Sequence, residues 1–181
     1  MKIKGNFLKD YVQLVNQTPE LDWNNYLLPE DWEIVKSIII PSAWYPVETM
    51  GRIGRGLFEM RVGKNYAALR EHGKMRFTMF DEETQKFLTK NDPLAGLQSF
   101  LMILRRYVDE LTATLEKSAP GRAEISFFPV DNAPSWDLFR EIQAGTMQKV
   151  IEVNGGKNPQ GSFTSLPREG RQADLLKLWW T

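Results

Sequence analysis

Residues 111–127, LTATLEKSAPGRAEISF, decide the fold, because the spacing of apolar residues changes there from a helical period to a period of two. Apolar and polar residues alternate on both sides of Pro120-Gly121, as they do in strands whose side chains point to opposite faces of a sheet. The apolar positions are Leu111, Ala113 and Leu115 before this pair, and Ala123, Ile125 and Phe127 after it. The stretch predicts two antiparallel strands joined by a turn at 118–121.

The chain that follows predicts a helix and a second hairpin. Pro134-Ser135 is a helix-start pattern, and Asn154-Gly155-Gly156 provides a left-handed stop. Strands are expected over 162–166 and 175–180, on either side of Glu169-Gly170. In chain order, the C-terminal third is therefore strand, strand, helix, strand, strand.

The chain before residue 111 is predicted to be helical. Apolar residues recur there at intervals of three and four, which is typical of amphipathic helices. Helices are expected over 7–15, from 29 to before Pro41, and over 47–60, 66–80 and 93–107. We predict an α+β fold of one domain, 1–181, in which a helical part, about 4–108, packs on the antiparallel sheet of a second part, about 109–181.

Composition excludes several classes of function. The 181 residues carry 23 basic and 23 acidic side chains, so no broad cationic field favours nucleic acid or an anionic membrane. The absence of cysteine excludes disulfides, zinc knuckles and thiol nucleophiles, and a single histidine excludes metal sites that need two imidazoles. The longest strongly apolar run, Ile38-Ile39-Ile40, is far shorter than the roughly 20 residues that cross a bilayer. We expect a cytoplasmic protein with no nucleic-acid partner and no membrane insertion.

Gly51, Gly54 and Gly56 form the pattern G-x-x-G-x-G, which differs from nucleotide-binding loops in both order and context. A dinucleotide fingerprint lies between a strand and a helix, whereas these glycines lie inside a predicted helix. We interpret them as positions where another helix approaches closely.

Six aromatic, basic and imidazole side chains are the candidates for ligand binding: Trp44, Tyr45, Arg70, His72, Arg105 and Tyr107. His72 could be a haem ligand, a general base or a pH sensor, but its charged neighbours favour an exposed or rim position with a structural role. Arg105 could cap its helix or bind an anion. Trp44 and Tyr45 could line a pocket or hold helices apart. No metal site and no catalytic constellation is predicted.

Short motifs along the chain resemble a known superfamily. They are Lys4-Gly5-Asn6-Phe7-Leu8, the connector Ile39-Ile40-Pro41-Ser42-Ala43-Trp44-Tyr45-Pro46, Arg70-Glu71-His72-Gly73-Lys74, and Arg105-Arg106-Tyr107. Together with the order of elements, they resemble 4-vinyl-reductase-like domains in the superfamily of ligand-binding domains of nitric-oxide signalling and TRAPP-type Golgi transport. Within it, the chain is most similar to uncharacterised bacterial proteins of the myxobacterial paralogous type.

The resemblance implies a compact, commonly dimeric α/β domain that binds small molecules or proteins. This chain departs from the superfamily in ways that bear on cofactors. It lacks the cysteines that bind metal in 4-vinyl-reductase domains and those acylated in transport subunits. It keeps the Tyr and Arg of the Tyr-x-Ser-x-Arg motif of haem-nitric-oxide domains at Tyr66 and Arg70, but has Ala68 in place of Ser and no histidine before it. We therefore expect no cofactor, and in particular no haem.

Two functions remain open. The first is a non-catalytic small-molecule-binding or sensory domain in bacterial signalling, with an apolar or anionic ligand. The alternative is a structural or adaptor module that acts through a homodimer or through protein partners. An enzyme is not expected.

Overall fold

The computed structural model describes residues 1–78, 80–131 and 133–181. The N-terminal part is mainly helical: β1 (Lys2–Lys4), α1 (Gly5–Gln17), α2 (Pro29–Val35), β2 (Trp44–Pro46), α3 (Val47–Met60), α4 (Tyr66–Thr78), α5 (Glu82–Leu88) and α6 (Pro93–Tyr107). The C-terminal part contains β3 (Thr112–Ala119), β4 (Arg122–Phe128), α7 (Trp136–Val153), β5 (Gln160–Arg168) and β6 (Arg171–Trp179). The predicted α+β class, with helices first and an antiparallel sheet last, is confirmed.

Local capping explains where several helices begin. The Asp92 carboxylate accepts hydrogen bonds from the amides of Leu94 and Ala95, at 2.8 and 3.3 Å, and Pro93 occupies the first turn of α6. Asp81 accepts a bond from the amide of Thr84 at 2.8 Å and so starts α5 as a separate helix. The helix predicted over 66–80 thus ends at Thr78, and its residue 79 lies outside the described part of the chain.

The C-terminal strands form one antiparallel sheet in the order β3, β4, β6, β5. Ile125 of β4 lies opposite Leu176 of β6, and Leu176 lies opposite Phe163 of β5. The two hairpins therefore meet through β4 and β6, and the core side chains of both share one face of the sheet.

The connector contains a strand that sequence patterning missed. β2 pairs antiparallel with β1, with Ile3 opposite Tyr45, inside the part predicted to be wholly helical. Strands of three residues are too short to produce a readable alternation, so only pairing in space reveals them.

Helices α4 and α7 approach each other almost backbone to backbone. A Cβ atom added to Gly145 would lie 2.0 Å from the carbonyl oxygen of Arg70, and one added to Gly73 would lie 2.1 Å from that of Ile142. The Thr146 hydroxyl donates to the Gly73 carbonyl at 2.9 Å across the same contact. This pair of helices forms the rigid wall of the site described next.

Candidate functional site

A cavity of about 880 Å³ lies among α1, α3, α4 and α7 and is partly open to solvent. Its volume is in the range of ordinary small-molecule sites, about 300–1,000 Å³. The lining is mainly apolar and includes Phe7 and Leu14 of α1, Met50 of α3, Leu69 of α4 and Phe139 of α7. At 1.5 Å per residue, the wall that α1 contributes is about 15 Å long. We call this cavity the groove.

Small residues leave the groove open along its α3 and α4 walls. Gly51, Gly54 and Ala68 all line it. A Cβ added to Gly54 would meet only Tyr11, at an ordinary contact distance of 3.6 Å. The space beside Gly54 could therefore hold a side chain, and this position offers a way to fill the groove by substitution.

The close approach predicted for the three α3 glycines is present at Gly51 and Gly56 but not at Gly54. A Cβ at Gly51 would lie 3.0 Å from the carbonyl oxygen of Pro134, and one at Gly56 would lie 2.9 Å from the ring of Trp23. Pro134 lies in the turn before α7, and Trp23 lies in a short 3-10 helix. The close helix-to-helix contact occurs instead between α4 and α7.

His72 lies on the groove wall, on the same face of α4 as Ala68 and Arg76. The spacing of four residues along a helix brings these side chains onto one face. Burial, followed by the charge of Arg76, lowers the pKa of the His72 imidazole below its ordinary 6.5. The imidazole is therefore neutral near pH 7, which is the form that can bind a metal or accept a hydrogen bond.

Charged side chains also border the groove. Arg61 follows α3, Arg76 lies near the end of α4, and Asp10 is on the exposed side of α1. The Arg76 guanidinium lies 4.7 Å from the centre of the Phe7 ring. Within the described chain, neither arginine forms an ion pair, so both guanidinium groups remain able to bind an anionic group of a ligand.

Polar contacts fix α7 relative to α3 and α4. Asp137 accepts hydrogen bonds from Arg55 of α3 at 2.6 Å and from the Tyr66 hydroxyl of α4 at 2.7 Å. Burial by itself would raise the pKa of Asp137, but these two bonds outweigh it and lower the pKa. One turn later along α7, Glu141 pairs with Arg70, whose guanidinium also donates to the Gly161 carbonyl of β5 at 2.9 Å. Tyr66 and Arg70 thus hold α4 against α7.

The other candidates lie away from the groove. Trp44 is 42% exposed, and the Lys4 ammonium lies 4.0 Å above its ring. The Tyr45 hydroxyl accepts a hydrogen bond from the Ile40 amide at 2.9 Å. Trp44 thus joins the connector to the N-terminal strand, whereas the hydroxyl of Tyr45 bonds within the connector.

Arg105 and Tyr107 join α6 to its neighbours. Arg105 donates to the Ala113 carbonyl of β3 at 2.9 Å. The Tyr107 ring packs against Phe7, with 4.8 Å between ring centres, and so helps to hold a side chain of the groove wall in place. Of the six candidates, the structure thus brings only His72 to the groove wall, and it does not bring the six together.

Gln143 is a site residue that sequence reasoning missed. Its side chain is 4% exposed and lies on the groove wall next to Ile142. The sequence feature that could have pointed to Gln143 is its position as a polar residue between two apolar ones, Ile142 and Ala144, in the helix.

Other kinds of site find no support in the part of the chain that the structure describes. No three His, Cys, Asp or Glu side chains come close enough there to hold a metal ion. None of its helices combines the length and the apolar character needed to span a bilayer.

Comparisons with known proteins give a fold but no family. No family model and no curated protein matches the chain. Solved structures do match, and those described below are H-NOX domains. An H-NOX mutant from T. tengcongensis has a TM-score of 0.63 at 14% identity, covering 99% of this chain and 98% of that one. The Fe(II) unliganded H-NOX from K. algicida has a TM-score of 0.65 at 14% identity, covering 99% and 97%.

A third structure, from work probing heme distortion in the H-NOX family, has a TM-score of 0.64 at 14% identity and covers 99% of this chain and 95% of that one. The chain therefore has the H-NOX fold over nearly its whole length. Of the groups named in the resemblance drawn from the motifs, these structures support the fold of the haem-nitric-oxide domains. They do not support the similarity to 4-vinyl-reductase domains, transport subunits or myxobacterial-type proteins.

The expectation of no cofactor, with haem unlikely, is wrong. The solved structures that share this fold are those of haem-binding domains, and they point to haem. The error has a physical reason. The residues next to His72 in the sequence are charged and suggest an exposed side chain, but in the folded chain His72 lies on the groove wall. Haem-nitric-oxide domains have a histidine before their Tyr-x-Ser-x-Arg motif, and this chain has none before Tyr66. His72 nevertheless brings an imidazole to the cavity.

Proposed function

We propose that this protein is a non-catalytic sensory domain of bacterial signalling that binds a small molecule in the groove. The observation that carries the proposal is the cavity of about 880 Å³, lined mainly by apolar side chains and walled by four helices. A partly enclosed apolar cavity with a few polar groups is the usual form of a ligand site. On the connector motif alone, we also propose that the chain is related to the 4-vinyl-reductase-like and myxobacterial-type proteins.

Haem is the first molecule to test, because the donor set of the groove is compatible with it. Haem iron needs one strong axial ligand in an apolar slot, and His72 provides a neutral imidazole on the groove wall. Arg61 and Arg76 would be available to the two propionates, as guanidinium groups pair well with carboxylates. A haem held by a single histidine supplies an iron that can bind a diatomic gas.

The residues of this chain would have three tasks in that complex. His72 would hold the iron, with its unprotonated ring nitrogen facing the groove. The apolar side chains of α1 and α7 would exclude water from the bound molecule. The bonds from Tyr66 and Arg70 to α7 would keep the α4 wall, and with it His72, in a fixed position.

A haem titration with two kinds of variant tests the proposal. We expect the purified chain to develop a stoichiometric Soret band on addition of hemin, and His72→Ala to lose it. Gly54→Leu should weaken binding because its side chain fills the groove, while Gly54→Ala, the matched control, adds only a methyl group and should bind normally.

Two results would contradict the proposal of haem in this groove. One is a wild-type chain that takes up no hemin. The other is a Soret band of equal strength in wild type and Gly54→Leu, which would put the haem elsewhere on the protein.

A further inference from the structure

Gln143 is a largely buried residue whose amide faces the groove without a hydrogen-bond partner among the residues that the structure describes. It shares one face of α7 with Phe139 and Ile142, both of which line the groove. Its side chain is 4% exposed, and no hydrogen bond joins it to any residue of 1–78, 80–131 or 133–181. By contrast Gln148, also 4% exposed and on the same helix, donates to the Pro159 carbonyl at 3.1 Å.

Among the described residues, only the Nε of Arg140 is a fully buried polar side-chain atom without a hydrogen bond, so the amide atoms of Gln143 still reach the open space of the groove. Most buried polar groups in proteins are hydrogen-bonded, and an amide that has no partner once the groove is filled is costly. The amide of Gln143 offers two N–H donors and one carbonyl acceptor. Whatever occupies the groove is positioned to supply the missing partner, whether it is water or a ligand. An apolar ligand would displace such a water and leave the amide unbonded, whereas a ligand with a polar group could replace the bond.

We infer that Gln143 sets the specificity of the groove, which prefers an apolar molecule carrying an uncharged hydrogen-bonding group, such as a hydroxyl, carbonyl or amide, directed at α7. The inference rests on the part of the proposed function by which the groove binds a small molecule. Haem carries no uncharged group of this kind, so the inference concerns the groove without haem.

The group should be uncharged because the α7 wall offers no opposite charge. The α7 residues that line the groove, Trp136, Leu138, Phe139, Ile142 and Gln143, are all uncharged. An ionised group held there would lose its hydration without gaining a countercharge. The charged groups of the lining, Asp10, Arg61 and Arg76, lie on other elements and could bind a different part of the same molecule.

Binding of a matched pair of probes tests the inference. Naphthalene and 2-naphthol differ by one hydroxyl group, and equilibrium dialysis of the full chain, purified without added haem, measures the affinity of each. We expect the preference of the wild type for 2-naphthol to be about tenfold larger than that of Gln143→Met, as one hydrogen bond to a buried amide is worth about that factor. Gln148→Met, the matched control on the same helix, should keep the wild-type preference.

The outcomes separate this inference from the proposed function. If neither probe binds the wild type, or if Gly54→Leu binds both as well as the wild type does, this inference is overturned, whereas the proposed function is decided separately by the hemin titration. If both probes bind in the groove but Gln143→Met keeps the wild-type preference, the role of Gln143 is overturned. A Gln148→Met variant that loses the preference as well would also overturn it. Gln143→Leu repeats the comparison if circular dichroism finds the Met variant unfolded.

Discussion

At the scale of single residues, the buried carboxylates in the described part of the chain, Asp31, Glu141 and Asp174, are each paired with an arginine. Asp31, in the first turn of α2, has no exposed surface. It accepts hydrogen bonds from the Arg52 guanidinium at 2.6 and 2.8 Å, from the Thr49 hydroxyl at 2.7 Å and from the Leu28 amide at 2.8 Å. Burial would raise the pKa of this carboxyl, but the hydrogen bonds and the Arg52 charge together lower it. Asp31 thus ties α2 to α3.

The lowered pKa of Asp31 makes its contribution to stability depend on pH. The contribution is complete above the unfolded-state pKa of about 3.9 and is lost as the pH falls through the lower folded-state value. We expect Asp31→Asn to lose about 1–3 kcal/mol of unfolding free energy at pH 7. Urea unfolding at pH 7 and pH 3 should show the gap between variant and wild type narrowing in acid. Glu30→Gln, an exposed neighbour, is the control, and a gap that widens in acid would contradict the assignment.

At the scale of elements, helices α4 and α7 lie so close together that their contact leaves no room for a side chain at either of its two glycines. Their backbones meet at Gly73 and Gly145, and the polar pairs Tyr66–Asp137 and Arg70–Glu141 lie along the same interface. Because His72 lies on α4 and Gln143 on α7, the spacing of these helices also sets the spacing of the two polar groups in the groove wall.

Substitution of one glycine tests how closely the two helices must approach. Gly145→Ala would place a Cβ 2.0 Å from the Arg70 carbonyl oxygen, so the helices must separate. We expect it to lower the unfolding free energy, measured in urea, by about 1–3 kcal/mol. Gly54→Ala, a helix-interior glycine with room for a methyl group, should instead raise it by up to about 1 kcal/mol. Equal or reversed effects would contradict the close approach of α4 and α7.

At the scale of the whole molecule, the larger of two buried hydrophobic clusters contains side chains from both parts of the chain. Ile3 and Leu97 of the helical part and Ile125 and Leu176 of the sheet belong to the same buried cluster, and none of them has exposed surface. A shared core of this kind favours a single cooperative unfolding transition.

The six tryptophans provide a test of the expected single domain. Trp23, Trp32 and Trp44 lie in the helical part, and Trp136, Trp179 and Trp180 follow it. With fluorine-labelled tryptophan, all six native NMR signals should disappear at the same urea concentration. Separate midpoints for Trp23 and Trp179 would mean that the two parts unfold as independent domains. The expected homodimer stays a prediction, which sedimentation velocity at micromolar concentration would test.

The sequence by itself determined most of the elements and their order, because periodicity and turns are local properties. The switch to alternating residues at 111–127 predicted both strands of the first hairpin, and Pro93 marked the start of α6. The sequence did not reveal strands β1 and β2, because three residues are too few to show an alternating pattern and the paired residues lie 40 to 44 positions apart in the chain.

Only the tertiary structure decided the groove and its polar groups. The walls that carry His72 and Gln143 come from helices about 70 residues apart in the chain, held together by the Arg70–Glu141 pair. Charged neighbours in sequence suggested an exposed His72, but a helix turns successive residues to different sides, and only packing determines which side is covered. Gln143 likewise looks like any polar residue of a helix until its partners, or their absence among the described residues, are known in space.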